Sequence, residues 1–231
     1  GCERGAAAMM RVGSLFAGIG GFDLGFERAG MQTAWACEID KQARQVFAHH
    51  FPGVHIFNDI KRIRRDSVQS FGPIDVLCGG FPCQDLSVAG KRAGLAGARS
   101  GLFFRIMRLI PKFRQKPRWI VLENVPGLLS SNEGRDMGTV LRELEKRGYG
   151  WAYRVLDAQF FGVPQRRRRV FIVGHLGGWR PAAKVLFERE GMPRDSAEGG
   201  KKRARVAALT QSGVGTCGAD DNQAQAGHLI G

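Results

Sequence analysis

Arg11-Val12-Gly13-Ser14-Leu15-Phe16-Ala17-Gly18-Ile19-Gly20-Gly21 is the stretch that decides the fold. A mostly apolar run passes into a glycine-rich turn, and an amphipathic segment follows over residues 22–29, so it reads as strand, tight turn and helix. Gly18, Gly20 and Gly21 let the backbone come close to a ligand at a helix start, where unpaired N–H groups point outward. Glu38 stands about 20 residues further on, at the end of the next apolar run. Nucleotide-binding βαβ units place the acid that holds ribose hydroxyls there. A dinucleotide fingerprint requires a third glycine at position 23, but Asp23 occupies it. That argues against a pyrophosphate-bearing cofactor and for an adenosyl ligand without one. Taken alone, the turn fits a ligand-free strand-to-helix connection as well.

Outward from this unit, short apolar runs alternate with longer amphipathic ones, the pattern of a mostly parallel sheet wrapped by helices. Strands are expected over residues 11–16, 33–37, 54–57, 74–78 and 119–122, with a hairpin-like pair over 153–156 and 170–173. Helices are expected over 22–29, 41–50, 102–113 and 139–147. Pro111 ends the regular part of the third early, and Gly148 closes the fourth. The fold class is therefore α/β. Beyond Trp179 the periodicity lapses: residues 187–205 are charged and Gly-rich, and 211–227 are rich in Gly, Gln, Asp and Ala, which predicts a linker or poorly ordered tail.

A formal charge of +14 favours a polyanionic partner, and its distribution sharpens the case. No acid lies between Asp85 and Glu123, yet nine bases do: Lys91, Arg92, Arg99, Arg105, Arg108, Lys112, Arg114, Lys116 and Arg118. Residues 166–169 and 201–205 add two further clusters, so the pattern reads as an electrostatic footprint for nucleic acid. Five cysteines, an odd number without metal-type spacing, indicate neither a disulfide framework nor a zinc site, and a reducing cytoplasm fits best. No apolar run approaches the roughly 20 residues needed to span a bilayer.

Three further motifs carry chemistry. Gly80-Phe81-Pro82-Cys83-Gln84 directly follows the fourth expected strand, where ligands of open α/β sheets bind. Basic residues nearby favour the thiolate of Cys83, whereas Cys37 and Cys78, inside apolar strands, read as inert. Residues 86–101 carry Gly90, Gly94, Gly97 and Gly101, the spacing of a loop able to close over a substrate. Glu123-Asn124-Val125 ends the fifth strand, and a carboxyl buried there would act as an acid. Within Gln165-Arg166-Arg167-Arg168-Arg169, alternate arginines are expected to enter a strand and share one face. The run also fits a solvated turn.

Phe16-Ala17-Gly18-Ile19-Gly20-Gly21, Glu38, Asp59-Ile60, Gly80-Phe81-Pro82-Cys83-Gln84, Glu123-Asn124-Val125 and Gln165-x-Arg167-x-Arg169, in this order, resemble the catalytic domain of the DNA (cytosine-5) methyltransferases of bacterial or phage type. The resemblance covers residues 11 to about 176. It implies an S-adenosylmethionine-dependent methyltransferase fold, Rossmann-like, with a mostly parallel seven-stranded sheet and helices on both faces. It further implies that Phe16, Gly18, Ile19 and Gly20 line the S-adenosylmethionine pocket. Glu38 would hold the ribose hydroxyls with Ile39 against the adenine, and Asp59 would bond the adenine amino group with Ile60 beside it. Pro82 and Leu102 would complete the pocket near the methyl donor. By the same resemblance Cys83 adds to carbon 6 of a cytosine flipped out of double-stranded DNA, and Glu123 assists at ring nitrogen 3. Arg169 holds the cytosine carbonyl and Arg167 positions the nucleophile loop. Gln84, Ser87 and Arg99 face the DNA, and no metal is needed.

The family continues past the arginine motif with a target recognition domain, an asparagine-bearing segment and a C-terminal helix, and no version of the late elements is recognisable before Gly231. The expectation is thus a leader over 1–10, a cofactor-binding catalytic domain over 11–180, and over 181–231 a linker into a truncated recognition region. The chain is read as a truncated or natural fragment, or as one subunit of a split enzyme, and as a monomer acting in the cytoplasm. A tRNA cytosine-5 methyltransferase would keep the same residue set. A catalytically idle DNA-binding fragment is the reading from a different class, while a nicotinamide oxidoreductase leaves Pro82-Cys83-Gln84 without a use.

Overall fold

The computed structural model of the chain describes residues 9–82 and 101–187. Its regular elements are β1 (Arg11–Leu15), α1 (Gly21–Arg28), β2 (Gln32–Cys37), α2 (Lys41–His50), β3 (His55–Phe57), α3 (Arg65–Gln69), β4 (Val76–Gly80), α4 (Leu102–Leu109), β5 (Trp119–Asn124), α5 (Gly127–Ser130), α6 (Arg135–Glu145), β6 (Tyr149–Asp157), β7 (Arg168–Leu176) and α7 (Trp179–Phe187). The strands form one sheet in the order β3-β2-β1-β4-β5-β7-β6. β1 pairs in parallel with β2 and β4, β2 in parallel with β3, and β6 antiparallel with β7. After β1 the chain builds outward to β3 and then returns to the other side of β1. Such a reversal opens a crevice beyond the carboxyl ends of the two strands that flank it.

By internal packing the chain divides into two units, residues up to Gly80 with Arg105–Ile120, and Phe81–Phe104 with Val121 onward. In the first, β1 is flanked on both sides and buried from Val12 to Leu15, as expected of a central parallel strand. Gly13 is needed there, because a Cβ would lie 2.5 Å from Cζ2 of Trp35. The wholly buried indole stacks on Phe113 and meets Phe57 edge-on. Asp23 is also wholly buried: its carboxylate accepts hydrogen bonds from Ser14 Oγ of β1 at 2.9 Å and Thr33 Oγ1 of β2 at 2.8 Å, tying α1 to both strands. α2 begins at Asp40, whose side chain accepts from the Ala43 N–H at 2.7 Å, the usual role of an N-cap carboxylate.

In the second unit β6 and β7 pair over nine residues, from Tyr149 opposite Leu176 to Asp157 opposite Arg168. Both are longer than the runs 153–156 and 170–173 expected from sequence; in β6 the early part is hidden from the sequence by Gly150, which is there for packing, while Arg154 within the expected run also serves a packing contact. A Cβ on Gly150 would fall on the backbone of Gly178 and Trp179, and Arg154 Nη1 donates to the Leu186 carbonyl at 3.0 Å. Both contacts serve α7, a helix absent from the sequence reading. α6 starts at Arg135, four residues before the expected position 139, since Asp136 accepts from Ser131 Oγ at 2.5 Å and anchors its first turn. In the first unit β4 starts at Val76 rather than Ile74, and just ahead of it the Asp75 side chain accepts the Arg11 N–H at 2.8 Å. Among the described residues no helix is long and apolar enough to cross a membrane.

Asp23→Ala would leave two buried hydroxyls without their acceptor, at an expected cost of about 1–3 kcal/mol read as a lowered urea midpoint. Burial pushes the Asp23 carboxyl above its ordinary pKa. Its protonated form therefore favours folding: the contribution is complete below the ordinary carboxylate value and fades as pH rises through the raised folded value. Asp23→Asn should keep most of the stability and lose that pH dependence, and equal urea midpoints for Asp23→Ala and the parent would refute the assignment.

Candidate functional site

In the first unit the chain leaves β1 through a turn with an unusual backbone. Gly18 has φ 56° and Gly20 φ 95°, conformations natural to glycine, but Phe16 has φ 53°, which is costly for a bulky residue and is found where surrounding structure enforces it. Gly20 is further fixed because a Cβ would lie 2.4 Å from Cε2 of Phe51, whereas a Cβ on Gly18 would meet nothing within 4 Å. The turn is thus packed on one side and open at Gly18.

Glu38 closes this turn. One carboxylate oxygen, Oε2, accepts the Gly18 N–H at 2.8 Å, and the other, Oε1, accepts the Asp40 N–H at 2.8 Å. Arg44 Nη1 donates to the carbonyls of Glu38 and Ile39, at 2.9 and 2.6 Å, and fixes the backbone that carries them. Each oxygen retains acceptor capacity. Ile19 and Ile39 are 63% and 73% exposed, apolar side chains on the turn and beside Glu38. Asp59 caps the 3-10 turn Ile60–Arg62 through its Oδ1, which accepts the Lys61 N–H at 2.8 Å, and Ile60 is buried. Burial, then the charges of Asp59 and Glu38, push the Cys37 thiol up to about 12. Cys78 is raised too, chiefly by burial, so both thiols are inert, as their apolar strands predict. Preset acceptors, an open glycine and exposed isoleucines suit a ligand with vicinal hydroxyls and a flat ring.

The second unit holds the other candidates. Phe81 is buried with its ring 5.1 Å from that of Phe103, and Pro82 is exposed. Leu102 is half-buried at the start of α4. Glu123 lies within β5, which runs on to Asn124, two residues past the expected end at 122. Its Oε1 pairs with Arg169 Nε at 2.8 Å, and the two side chains are 22% and 23% exposed. The acid expected to be buried is instead half-buried, and it is a member of an ion pair. The alternation expected of the arginines also fails at its start. β7 begins at Arg168, so Arg167 precedes the strand, exposed, with its N–H donated to Asp157 Oδ1 at 3.0 Å. That bond, with the Ala158 N–H donated to the Arg167 carbonyl at 3.0 Å, closes the loop between β6 and β7 at its base.

The structure therefore joins Gly18 to Glu38 and Glu123 to Arg169. Cys83, Gln84, Ser87 and Arg99 lie outside the described residues. Three polar residues escaped the sequence reading of roles: Asp23, noted only as a missing glycine, Asn124 inside a quoted motif, and Asp157. Asp157 carried only the weak signal of an acid just before a turn.

Residues 10–204 match the family model for the C-5 cytosine-specific DNA methylase. The chain is 45% identical over 183 residues to the Type II methyltransferase M2.BsuMI of Bacillus subtilis, covering 78% of this chain and 45% of that protein. It is 35% identical over 216 residues to the Type II methyltransferase M.NgoBI of Neisseria gonorrhoeae, covering 88% and 66%. Among solved structures, the methyltransferase EhMeth of Entamoeba histolytica superposes with a TM-score of 0.61 at 20% identity, over 75% of this chain and 55% of that one, a likeness of fold. The chain spans about half the length of several curated relatives that it matches. With its seven-stranded, mostly parallel sheet and a family match over most of its length, this chain belongs to the C-5 cytosine-specific DNA methylases.

Proposed function

We propose that the chain is the cofactor-binding and catalytic part of an enzyme that transfers a methyl group from S-adenosylmethionine to carbon 5 of cytosine in DNA. The Glu123–Arg169 pair carries this reading. A cytosine offers an exocyclic amino donor, an acceptor at ring nitrogen 3 and a carbonyl acceptor along one edge. A carboxyl group beside a guanidinium complements that set. The family description favours DNA over the tRNA alternative.

Glu38 would take the ribose hydroxyls, with Ile39 and Ile60 against the adenine and Asp59 on its amino group. Phe16, Gly18, Ile19, Gly20, Pro82 and Leu102 would complete the pocket. When bound, the cofactor supplies an electrophilic methyl group. Carbon 5 of cytosine is a poor nucleophile, so the Cys83 thiolate first adds to carbon 6. Glu123 offsets the charge that reaches nitrogen 3, and Arg169 holds the carbonyl. The enamine-like ring takes the methyl group at carbon 5, loses the carbon 5 proton, and expels the thiolate as the double bond reforms. Because the stack hides carbon 5, the base must leave the duplex. Arg167 would position the nucleophile loop, and Gln84, Ser87 and Arg99 would face the DNA. We also infer action as a monomer in the cytoplasm.

Calorimetry should show S-adenosylmethionine or its demethylated product binding more tightly than NAD, and Glu38→Ala should weaken that binding at least tenfold, about 1.4 kcal/mol. NAD binding as tight as the adenosyl ligands would overturn the pocket assignment. In the full-length enzyme, DNA containing 5-fluorocytosine should trap a covalent adduct, since fluorine cannot leave as the proton does. Cys83→Ser should abolish it and Cys78→Ser should not; an adduct mapped to another cysteine refutes the mechanism. Duplex binding by the basic residues should fall steeply with salt, whatever the sequence. Binding unchanged between 50 and 200 mM salt, the span over which phosphate contacts lose about 10³–10⁵ in affinity, would exclude the phosphate footprint.

A further inference from the structure

Asn124 is the buried polar side chain at the exit of β5, 3% exposed, and no step above uses it. Both ends of its amide are engaged. Nδ2 donates to the Phe81 carbonyl at 2.8 Å, and Oδ1 accepts the Val125 N–H at 2.8 Å. Phe81 is also 3% exposed, and its ring rests on that of wholly buried Phe103. The Phe81 carbonyl belongs to the peptide that leads into Pro82, and a residue before proline is held to extended conformations. Pro82 adds a fixed φ and has no N–H. Ring packing, a buried hydrogen bond and proline geometry thus fix the same peptide, one residue before Pro82 and two before Cys83.

We propose that Asn124 is a positioning residue for the nucleophile, acting through the Phe81–Pro82 peptide; this rests on Cys83 being the nucleophile. A carboxamide is the side chain the place requires. It supplies a donor to a carbonyl and an acceptor to an N–H from one planar group, and a carboxylate cannot do the first. The same side chain terminates the strand that carries Glu123, so the acid and the root of the nucleophile loop share one anchor. A shift on the order of 1 Å in a reacting group can cost about 100-fold in rate.

The test compares the full-length parent with Asn124→Asp, which keeps the shape and loses the donor, and Asn124→Ser, which is too short to reach Phe81 and avoids a buried charge. The rate of adduct formation on 5-fluorocytosine DNA is expected to fall on the order of 100-fold in any variant that melts cooperatively. Affinities for DNA and S-adenosylmethionine should stay at the parent values, a split that general loosening of the fold would not produce. Iodoacetamide labelling of Cys83, mapped by mass spectrometry with Cys37 and Cys78 as buried controls, is the second measurement and should change several-fold. A full-length parent that forms no adduct would sink the nucleophile assignment, while a labelling change in the variants would still uphold the anchor. Folded variants that match the parent in both adduct rate and labelling overturn the proposal.

Discussion

Two hydroxyl groups and one carboxylate, those of Ser14, Thr33 and Asp23, hold β1, β2 and α1 to one another, and the ligand-facing turn inherits its shape from that bond set. A buried acid is expensive unless its oxygens are satisfied. Here each oxygen has one donor from a different strand, so neither strand can shift without stranding a lone pair. With β1 and α1 so fixed, residues 16–20 must cover the gap within a few residues, which is why the backbone turns left-handed at Phe16, Gly18 and Gly20. With β2 fixed, Glu38 falls where it can accept the Gly18 N–H. The turn's geometry is therefore decided by residues that would never touch a ligand.

The second unit handles charge differently. Glu123 and Arg169 neutralise each other on adjoining parts of the unit rather than being sequestered. An unpaired carboxyl in an apolar pocket would pay for its own desolvation, while a pair with partial solvent access costs little and keeps both groups oriented. Substrate would then replace one set of complementary contacts by another.

Much of this was legible in the sequence, for identifiable reasons. α2 was bounded correctly because Asp40 is an unambiguous N-cap and the helix has a regular apolar face. β1 and β2 read clearly because each carries the short buried run of a central parallel strand, Val12–Leu15 and Trp35–Cys37. The expected start of the first hairpin strand falls too late because Gly150 breaks the apolar pattern, and that glycine serves the packing of α7, a helix nothing local announces. At the site, Glu38 and the glycines were found by spacing, and Glu123 and Arg169 by motif. Their pairing was not, because an ion pair between residues 46 apart leaves no local signature. Asp23 shows the limit most plainly: a residue read for what it was not proved to have a positive role of its own.

The two margins of the sheet bear on how this chain behaves in a crowded solution. An exposed strand edge is a template onto which another chain can add by backbone hydrogen bonds. β3 forms one margin with only three residues, about 10 Å of template at the usual rise per residue. β6 forms the other with nine residues, but it faces the packed helix α7, tethered through Arg154 to the Leu186 carbonyl. One border is too short to seed a cross-chain sheet, and the other belongs to a strand held in its hairpin by the helix packed on it. Cutting back α7 would therefore be felt first as aggregation through β6, before any loss of chemistry.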